Sequence, residues 1–369
     1  MKNNKLIVRT KSKIYPIYFG NNILGKTGKF IKKNLPDVRK ICIISDNKLP
    51  KILLKRLVSS LKNYDIKIYK LSVSEKVKNL NVANKITEQL LKDNFNRSDC
   101  IISLGGGIVS DLAAFISSIT KRGIGLVNIP TTLLAQSDAS IGGKTGVNSN
   151  QGKNLIGTFY QPDFVLSDMY TLDSLPYKEM ICGYAEILKH SLILDKNFFS
   201  WLSKNANKII NKDKNILKKA VIKSCQIKSQ IISKDENEKN LRMLLNFGHT
   251  FAHSFEAVKN FSKKISHGES VLLGMNLANH LAYNKKILPL KDLILIKKHY
   301  FSLNLPIRIS QFFKKKEINK IVYFMKKDKK NFSEKINLIL LKKIGKTIRP
   351  NSFNIESSEL KKFLSDIYS

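Results

Sequence analysis

The stretch Cys100-Ile101-Ile102-Ser103-Leu104-Gly105-Gly106-Gly107-Ile108-Val109-Ser110-Asp111 reads as an apolar strand, a glycine turn and the start of a helix. Without Cβ atoms in the way, backbone N–H groups of such a turn can approach a pyrophosphate, and the helix N-terminus favours its negative charge. The match to the G-x-G-x-x-G fingerprint is incomplete, because Ser110 holds the third glycine position, and a glycine run alone also suits a simple tight turn. Two neighbours favour the nucleotide. Asp46 follows a strand ending at Ile44, where a carboxylate can hold ribose hydroxyls, and Pro130-Thr131-Thr132 follow the next strand. The acid precedes the glycine turn by about sixty positions, the reverse of the order in an ordinary dehydrogenase, so a different nucleotide fold is implied.

Working outward, short apolar runs at 14–19, 40–44, 66–71, 100–104 and 125–129 read as strands, as does Leu6-Ile7-Val8. Segments 49–61 and 82–91 between them have helical spacing. This alternation predicts βαβ units and a parallel sheet covered on both faces. From about Met180 the pattern changes to long Lys-rich amphipathic segments, at 214–233, 269–283 and 290–300, which predict a mostly helical second domain. The expected division is an α/β domain over 1–178 and a helical domain over 179–369, abutting without a linker and leaving a cleft. The apolar run 336–341 suits either a strand or a buried helix.

A chain of 369 residues favours two domains, and 43% hydrophobic content is enough for real cores. No apolar run approaches bilayer length and Met1-Lys-Asn-Asn-Lys5 is no signal segment, so a cytoplasmic protein without a membrane partner is expected. Cys42, Cys100, Cys182 and Cys225 lack close-pair metal spacing, so buried, reduced thiols are expected. The net charge of +37 invites a polyanion partner. Yet only eight of the 65 basic residues are Arg, the residue suited to bidentate phosphate and base-edge contacts. The lysines are spread along the whole chain among Asn and Ile, as AT-rich coding would leave them. A solvated Lys surface that draws in small anions is expected, and no nucleic acid partner.

Three of only six histidines fall in Arg242-Met-Leu-Leu-Asn246-Phe-Gly-His249-Thr-Phe-Ala-His253 and His267-Gly-Glu269. His249 and His253 stand four apart, on one face of a helix, and a third His nearby can complete a metal site with an open position. Spacing alone makes His249 and His253 the ligand pair. No Glu follows His249, so the metalloprotease motif is excluded.

Several blocks, in order, now carry a resemblance. Leu104-GGGIVSD-Leu112, Lys121-Arg122-Gly123, Pro130-TTLLAQSDASIGGKTGVN-Ser149, Gly152-KN-Leu155 and Phe159-YQP-Asp163 are similar to the 3-dehydroquinate synthases. So are Gly183-YAEILK-His190, Leu244-LNFGHTFAH-Ser254 and His267-GE-Ser270, and the likeness runs on to Asp328-Lys329-Lys330. The resemblance implies an NAD-binding α/β domain, a helical metal domain, a homodimer and an active site between the domains. It implies conversion of 3-deoxy-arabino-heptulosonate 7-phosphate to 3-dehydroquinate and phosphate, the second step of the shikimate pathway. The implied sequence is oxidation of the carbon 5 alcohol, phosphate elimination, re-reduction, ring opening and aldol closure. NAD is regenerated in each turnover, so the net reaction is a lyase-type cyclisation.

The same resemblance makes Glu186, His249 and His267 the ligands of zinc or cobalt, and His253 a proton-transfer group. Glu238 matches another acid/base position, although its polar surroundings by themselves suggest an exposed acid. Fixed cations for the substrate phosphate and carboxylate are expected from Arg122, Lys144, Lys189, Lys228, Arg242 and Lys330 (or Lys329), with Asn154 and Asn246 as neutral donors. Asp138 and Lys144 flank the turn Gly142-Gly143 and are both expected to contact the substrate, with Lys144 also serving cofactor and catalysis. For NAD the implied set is Asp46, Glu75, Lys78, Gly106, Gly107, Ile108, Val109, Ser110, Asp111, Thr131, Thr132, Lys144, Lys153, Thr171, Leu172, Asp173 and Ser174.

This chain departs from the family at Ser72-Val73-Ser74-Glu75, where Pro-Asp-Gly-Glu is common, at Ser110 in place of Gly, and at Ala252 in place of Gly. Related cyclases acting on sedoheptulose 7-phosphate have no substrate carboxylate to bind, so Arg242 and Asn246 favour the heptulosonate. Glycerol-dehydrogenase-like enzymes, a second alternative, perform net hydride transfer. A nucleic-acid binder is the third, suggested by charge alone.

Overall fold

The computed structural model describes residues 4–262, 264–327 and 335–368. They divide into two compact units, one of residues 4–180 with 212–236, the other of 181–211 with 237–368.

The first unit is built on β1 (Lys5–Arg9), β2 (Ile14–Gly20), α1 (Thr27–Asn34), β3 (Lys40–Asp46), α2 (Lys51–Ser59) and β4 (Asp65–Leu71). It continues through α3 (Leu80–Lys92), β5 (Cys100–Gly105), α4 (Gly107–Ile119), β6 (Gly125–Pro130), the hairpin of β7 (Val147–Ser149) and β8 (Gly152–Ile156), and β9 (Phe164–Asp168). Seven strands form one sheet in the order β1-β2-β9-β6-β5-β3-β4, parallel throughout except for β1. Each run expected to be a strand in this half is one. β9 went unread because its five residues lack a periodic partner segment, and only the fold inserts them between β2 and β6.

Alternation along β3 shows why both faces are covered. Ile41 and Ile43 pack with Leu53, Leu57 and Ile31 of α2 and α1, whereas Cys42 and Ile44 pack with Ile86, Leu112 and Ile116 of α3 and α4. All these side chains are buried, so the strand is apolar on both faces, as in a doubly covered sheet. The pairs Asp46↔Leu71, Ser45↔Leu104 and Gly105↔Pro130 bring the carboxyl ends of β3, β5 and β6 level. From β3 the chain leaves to β4 on one side, and β5 lies on the other. Connections therefore diverge here, at the point where a parallel sheet binds its ligands.

The second unit contains α5 (Tyr177–Leu194, from residue 181), α6 (Lys196–Ile210), α8 (His249–Val258), α9 (His267–Asn284), α10 (Leu290–Ser302), α11 (Ile318–Lys326) and α12 (Ser357–Tyr368). Between them, α7 (Lys214–Lys234) lies well past the boundary expected after residue 178, yet folds with the first unit. Its buried face packs on the π-helical turn Ala135–Ala139 and on β1, with the Cys225 thiol donating to the Gln136 carbonyl at 3.2 Å. Residues 336–341 are neither a full strand nor a helix. They give β10 (Ile336–Asn337) and the start of β11 (Leu341–Lys343), which pair with β13 (Asn354–Ile355) and β12 (Lys346–Thr347). All four cysteines are buried free thiols, as expected. Among the described residues no helix is long and apolar enough to cross a membrane.

Ile43→Ala removes a fully buried side chain from the sheet core and should cost about 2–5 kcal/mol, read as a lower urea midpoint at unchanged slope. His299, buried against Tyr184 and Phe199, is held down to about 4 by burial against an ordinary 6.5. Between those values the unfolded chain takes up a proton that the fold refuses, so stability falls as pH drops from 6.5 towards 4. His299→Gln should make the urea midpoint less dependent on pH in that window; an unchanged slope would show that His299 is not responsible.

Candidate functional site: a glycine-edged cradle and a buried Glu–His cluster

In the first unit, the glycine turn ends β5 and opens α4 at the level edge of the sheet. Gly106 caps α4 with no side-chain partner, which leaves the first N–H groups of the helix (Gly107, Ile108, Val109) to serve an anion. Thr131 and Thr132 leave β6 beside it: Thr131 N donates to Gly105 O at 2.9 Å, and Thr132 Oγ1 accepts from Ala135 N. Thr131 Oγ1 is buried without a hydrogen-bond partner among the described residues, a donor and acceptor for which a ligand can supply the match. A Cβ on Gly106 would stand 3.0 Å from Thr132 Cγ2. Ser110, in place of the expected glycine, is accommodated because its hydroxyl turns back onto the carbonyls of Gly106 and Gly107.

Asp46 ends β3 at the same edge, its Oδ1 accepting from Lys48 N at 2.9 Å. Beside it, Asn47 Nδ2 donates to Ser72 Oγ, so the atypical Ser72-Val73-Ser74 loop is tied to the edge. Glu75 follows in a short turn, gripped by Asn148 Nδ2 at 2.9 Å and Lys153 Nζ at 3.0 Å. Burial raises its carboxyl, but these partners prevail and hold it below the ordinary value. Lys78, 4% exposed, reaches both Asp111 Oδ2 at 2.6 Å and Asn154 Oδ1. Burial pushes Asp111 up even against that ammonium. Hairpin β7–β8, which carries Asn148, Lys153 and Asn154, therefore closes onto α4 through a polar network centred on the buried Lys78.

Thr171 Oγ1 donates to the Asp168 carbonyl and accepts from Gln136 Nε2, and Leu172 is buried. Asp173 and Ser174 are exposed, and Asp173 pairs with Lys214. Asp138 and the buried Lys228 form an ion pair at 2.7 Å. The exposed Lys144 lines a pocket with Ser110, Asp111 and Tyr160. Arg122 is not brought to this edge: it is exposed, in a left-handed conformation, just before β6 begins. Lys330 and Lys329 lie outside the described residues.

In the second unit, Glu186, His249 and His267 place one ligand atom each within 4.8 Å of one another. Glu186 Oε1 is 3.5 Å from His249 Nε2 and 3.8 Å from His267 Nε2, and its other oxygen meets Lys189 one turn along α5. Both carboxylate and ammonium are almost wholly buried. His253 lies outside this group, exposed, its ring 5.7 Å from that of His249. The pairing suggested by spacing alone is therefore replaced by one that draws on three helices. Burial, and then Lys189, keep His249 well below the ordinary imidazole value. Burial also lowers His267, but the facing carboxylates of Glu186 and Glu256 prevail and push it up to about 10. A cation held by both Nε2 atoms requires both rings neutral, so its uptake is coupled to loss of the His267 proton. Two imidazoles and a carboxylate suit zinc or cobalt and leave positions for other oxygens.

Three glycines bring these helices together. Gly248 precedes His249 at φ 79°, and a Cβ there would meet Met275 N at 2.8 Å, while one on Gly274 would meet Gly248 O at 2.2 Å. Gly268, next to His267, sits so close to α5 that a Cβ would overlap Cys182 Cα at 2.2 Å. Arg242 is 1% exposed in the turn Leu241–Asn246. Asn246 Nδ2 donates to Glu238 Oε1 at 2.7 Å, so Glu238, half-buried at φ 57°, is not the exposed acid its neighbours suggest.

The model of the 3-dehydroquinate synthase N-terminal region matches residues 68–182, and that of the C-terminal region matches 183–331. The chain belongs to the 3-dehydroquinate synthase family. It is 50% identical over 356 residues to the 3-dehydroquinate synthase of Pelagibacter ubique, covering 96% of this chain and 97% of that one. A structure of 2-deoxy-scyllo-inosose synthase with carbaglucose-6-phosphate, NAD+ and Co2+ superposes at TM-score 0.87 and 24% identity, covering 98% of this chain and 99% of that one. The 2-epi-5-epi-valiolone synthase of Streptomyces hygroscopicus, with NAD+ and Zn2+ bound, gives 0.83 at 22%, covering 96% of each. These two likenesses bear on the fold, which is that of the family.

Gly248→Ala should cost about 1–3 kcal/mol, because it adds backbone strain to an overlap with α9. Zn2+ affinity, measured by chelator competition, should fall with it; unchanged affinity and midpoint would refute the packing argument.

Proposed function

We propose that this chain converts 3-deoxy-arabino-heptulosonate 7-phosphate to 3-dehydroquinate and phosphate, in the cytoplasm and as a homodimer. The observation that carries the reading is the Glu186–His249–His267 cluster in a member of this family, with Arg242 buried a few residues before it. The α/β unit is assigned the NAD and the helical unit the metal. When bound, NAD supplies a hydride acceptor and donor, and a zinc or cobalt ion supplies a Lewis acid that acidifies a hydroxyl.

The chain's own residues then have defined tasks. First-turn N–H groups of α4 take the cofactor pyrophosphate, and Thr131 and Thr132 edge it. Asp46 holds ribose hydroxyls, while Glu75, Lys78, Lys153 and Asp111 fix the hairpin that borders the same edge. Arg242, whose planar fork matches a carboxylate or phosphate, binds the substrate anion with Lys189. Asn246 orients the Glu238 carboxylate through their hydrogen bond. His253, on the exposed face one turn beyond His249, is placed to exchange protons with substrate and solvent.

Incubation with the heptulosonate phosphate, NAD+ and Zn2+ should release phosphate and form dehydroquinate in equal amounts. Phosphate without dehydroquinate would sink the specific substrate while leaving the family intact. Arg242→Ala should lower kcat/KM by about thirty-fold or more, the cost of removing one partner of a desolvated charge pair. Light scattering tests the dimer.

A further inference from the structure

Glu256 is used by no step above, yet it is a carboxylate with only 8% of its surface exposed. It stands on α8 seven residues after His249, two turns along the same face, and its Oε1 lies 2.8 Å from His267 Nδ1. His267 is the first residue of α9, where Ser266 and Glu269 cap each other and leave the ring orientation unset. The two nitrogens of an imidazole point to different sides of the ring. A group bound at Nδ1 therefore sits away from an ion at Nε2, which excludes Glu256 as a further ligand through that contact.

We infer that Glu256 is a positioning residue for the metal centre: its carboxylate accepts the Nδ1–H of His267, fixes the tautomer and aims Nε2 at Glu186. A carboxylate behind a ligating imidazole also raises its donor strength, and loss of such partners weakens metal binding about 10–100-fold. α8 thus supplies one ligand from its first turn and the orienting group for a second from its last turns. His249 has a weaker counterpart, with its Nδ1 3.3 Å from the Phe247 carbonyl. The inference rests on reading Glu186, His249 and His267 as a metal centre.

The test is Zn2+ affinity of the full chain by chelator competition, with the visible spectrum of the Co2+-loaded protein as a second readout. If the wild-type chain binds neither ion, the metal centre itself is lost. If it binds, Glu256→Ala should weaken Zn2+ about 10–100-fold and alter the Co2+ bands. Glu256→Gln, which retains an acceptor oxygen of the same reach, should recover most of the affinity and the wild-type band pattern. Glu256→Ala within twofold of wild type, or Glu256→Gln no better than Glu256→Ala, overturns the inference. Should the Ala variant not fold, the Gln variant alone decides: affinity reduced as far as about 100-fold, or changed bands, counts against an orienting hydrogen bond, and near-wild-type values support it.

Discussion

The Glu186 carboxylate is 1% exposed, and a negative charge removed so far from water is tolerated only among compensating groups. Lys189, three residues along α5, supplies one, and the imidazoles of His249 and His267 face the other oxygen. Removing any one of them leaves a buried charge short of partners, at a cost of several kcal/mol. The need to satisfy this carboxylate therefore constrains where α5, α8 and α9 lie. Close contact is possible because Gly248, Gly268 and Gly274 allow backbone to meet backbone. A divalent cation would answer the same electrostatic demand.

At the sheet edge the logic is reversed, with donors left available instead of a charge to be neutralised. The first N–H groups of α4 have no side-chain cap, and Thr131 Oγ1 has no partner among the described residues. Around this cradle the polar groups are, by contrast, tightly matched. Lys78, Asp111, Asn154, Glu75, Asn148 and Lys153 form a network joining the 75–79 segment, α4 and the β7–β8 hairpin. Rigid neighbours around a few uncommitted donors are what preorganised anion recognition requires. The Ser110 and Ser72–Ser74 departures are absorbed locally, by a back-bond to α4 and by the Asn47–Ser72 hydrogen bond.

The charge of +37 is a surface property with little bearing on either site. The lysines that matter are few and distinguished by burial: Lys78, Lys189 and Lys228 each face a carboxylate. Elsewhere an exposed ion pair such as Lys335–Glu356 contributes little, since solvent screens it and both side chains lose entropy.

By itself the sequence determined the alternation of apolar runs, and with it a parallel sheet, because an apolar strand demands cover on both faces. It also determined the glycine turn at the end of β5, which needs only local backbone freedom. Family likeness supplied the remaining residues of the cluster, which spacing had read as His249 with His253. Tertiary structure decided what depends on distant approach. It inserted β9 between β2 and β6, set α7 against the first unit, and left Arg122 away from the glycine edge. It also turned Glu256 toward His267 and brought Asn246 to Glu238. Those contacts join segments whose separation along the chain carries no periodic signal, and they form only when backbones cross at glycines and buried charges find their partners.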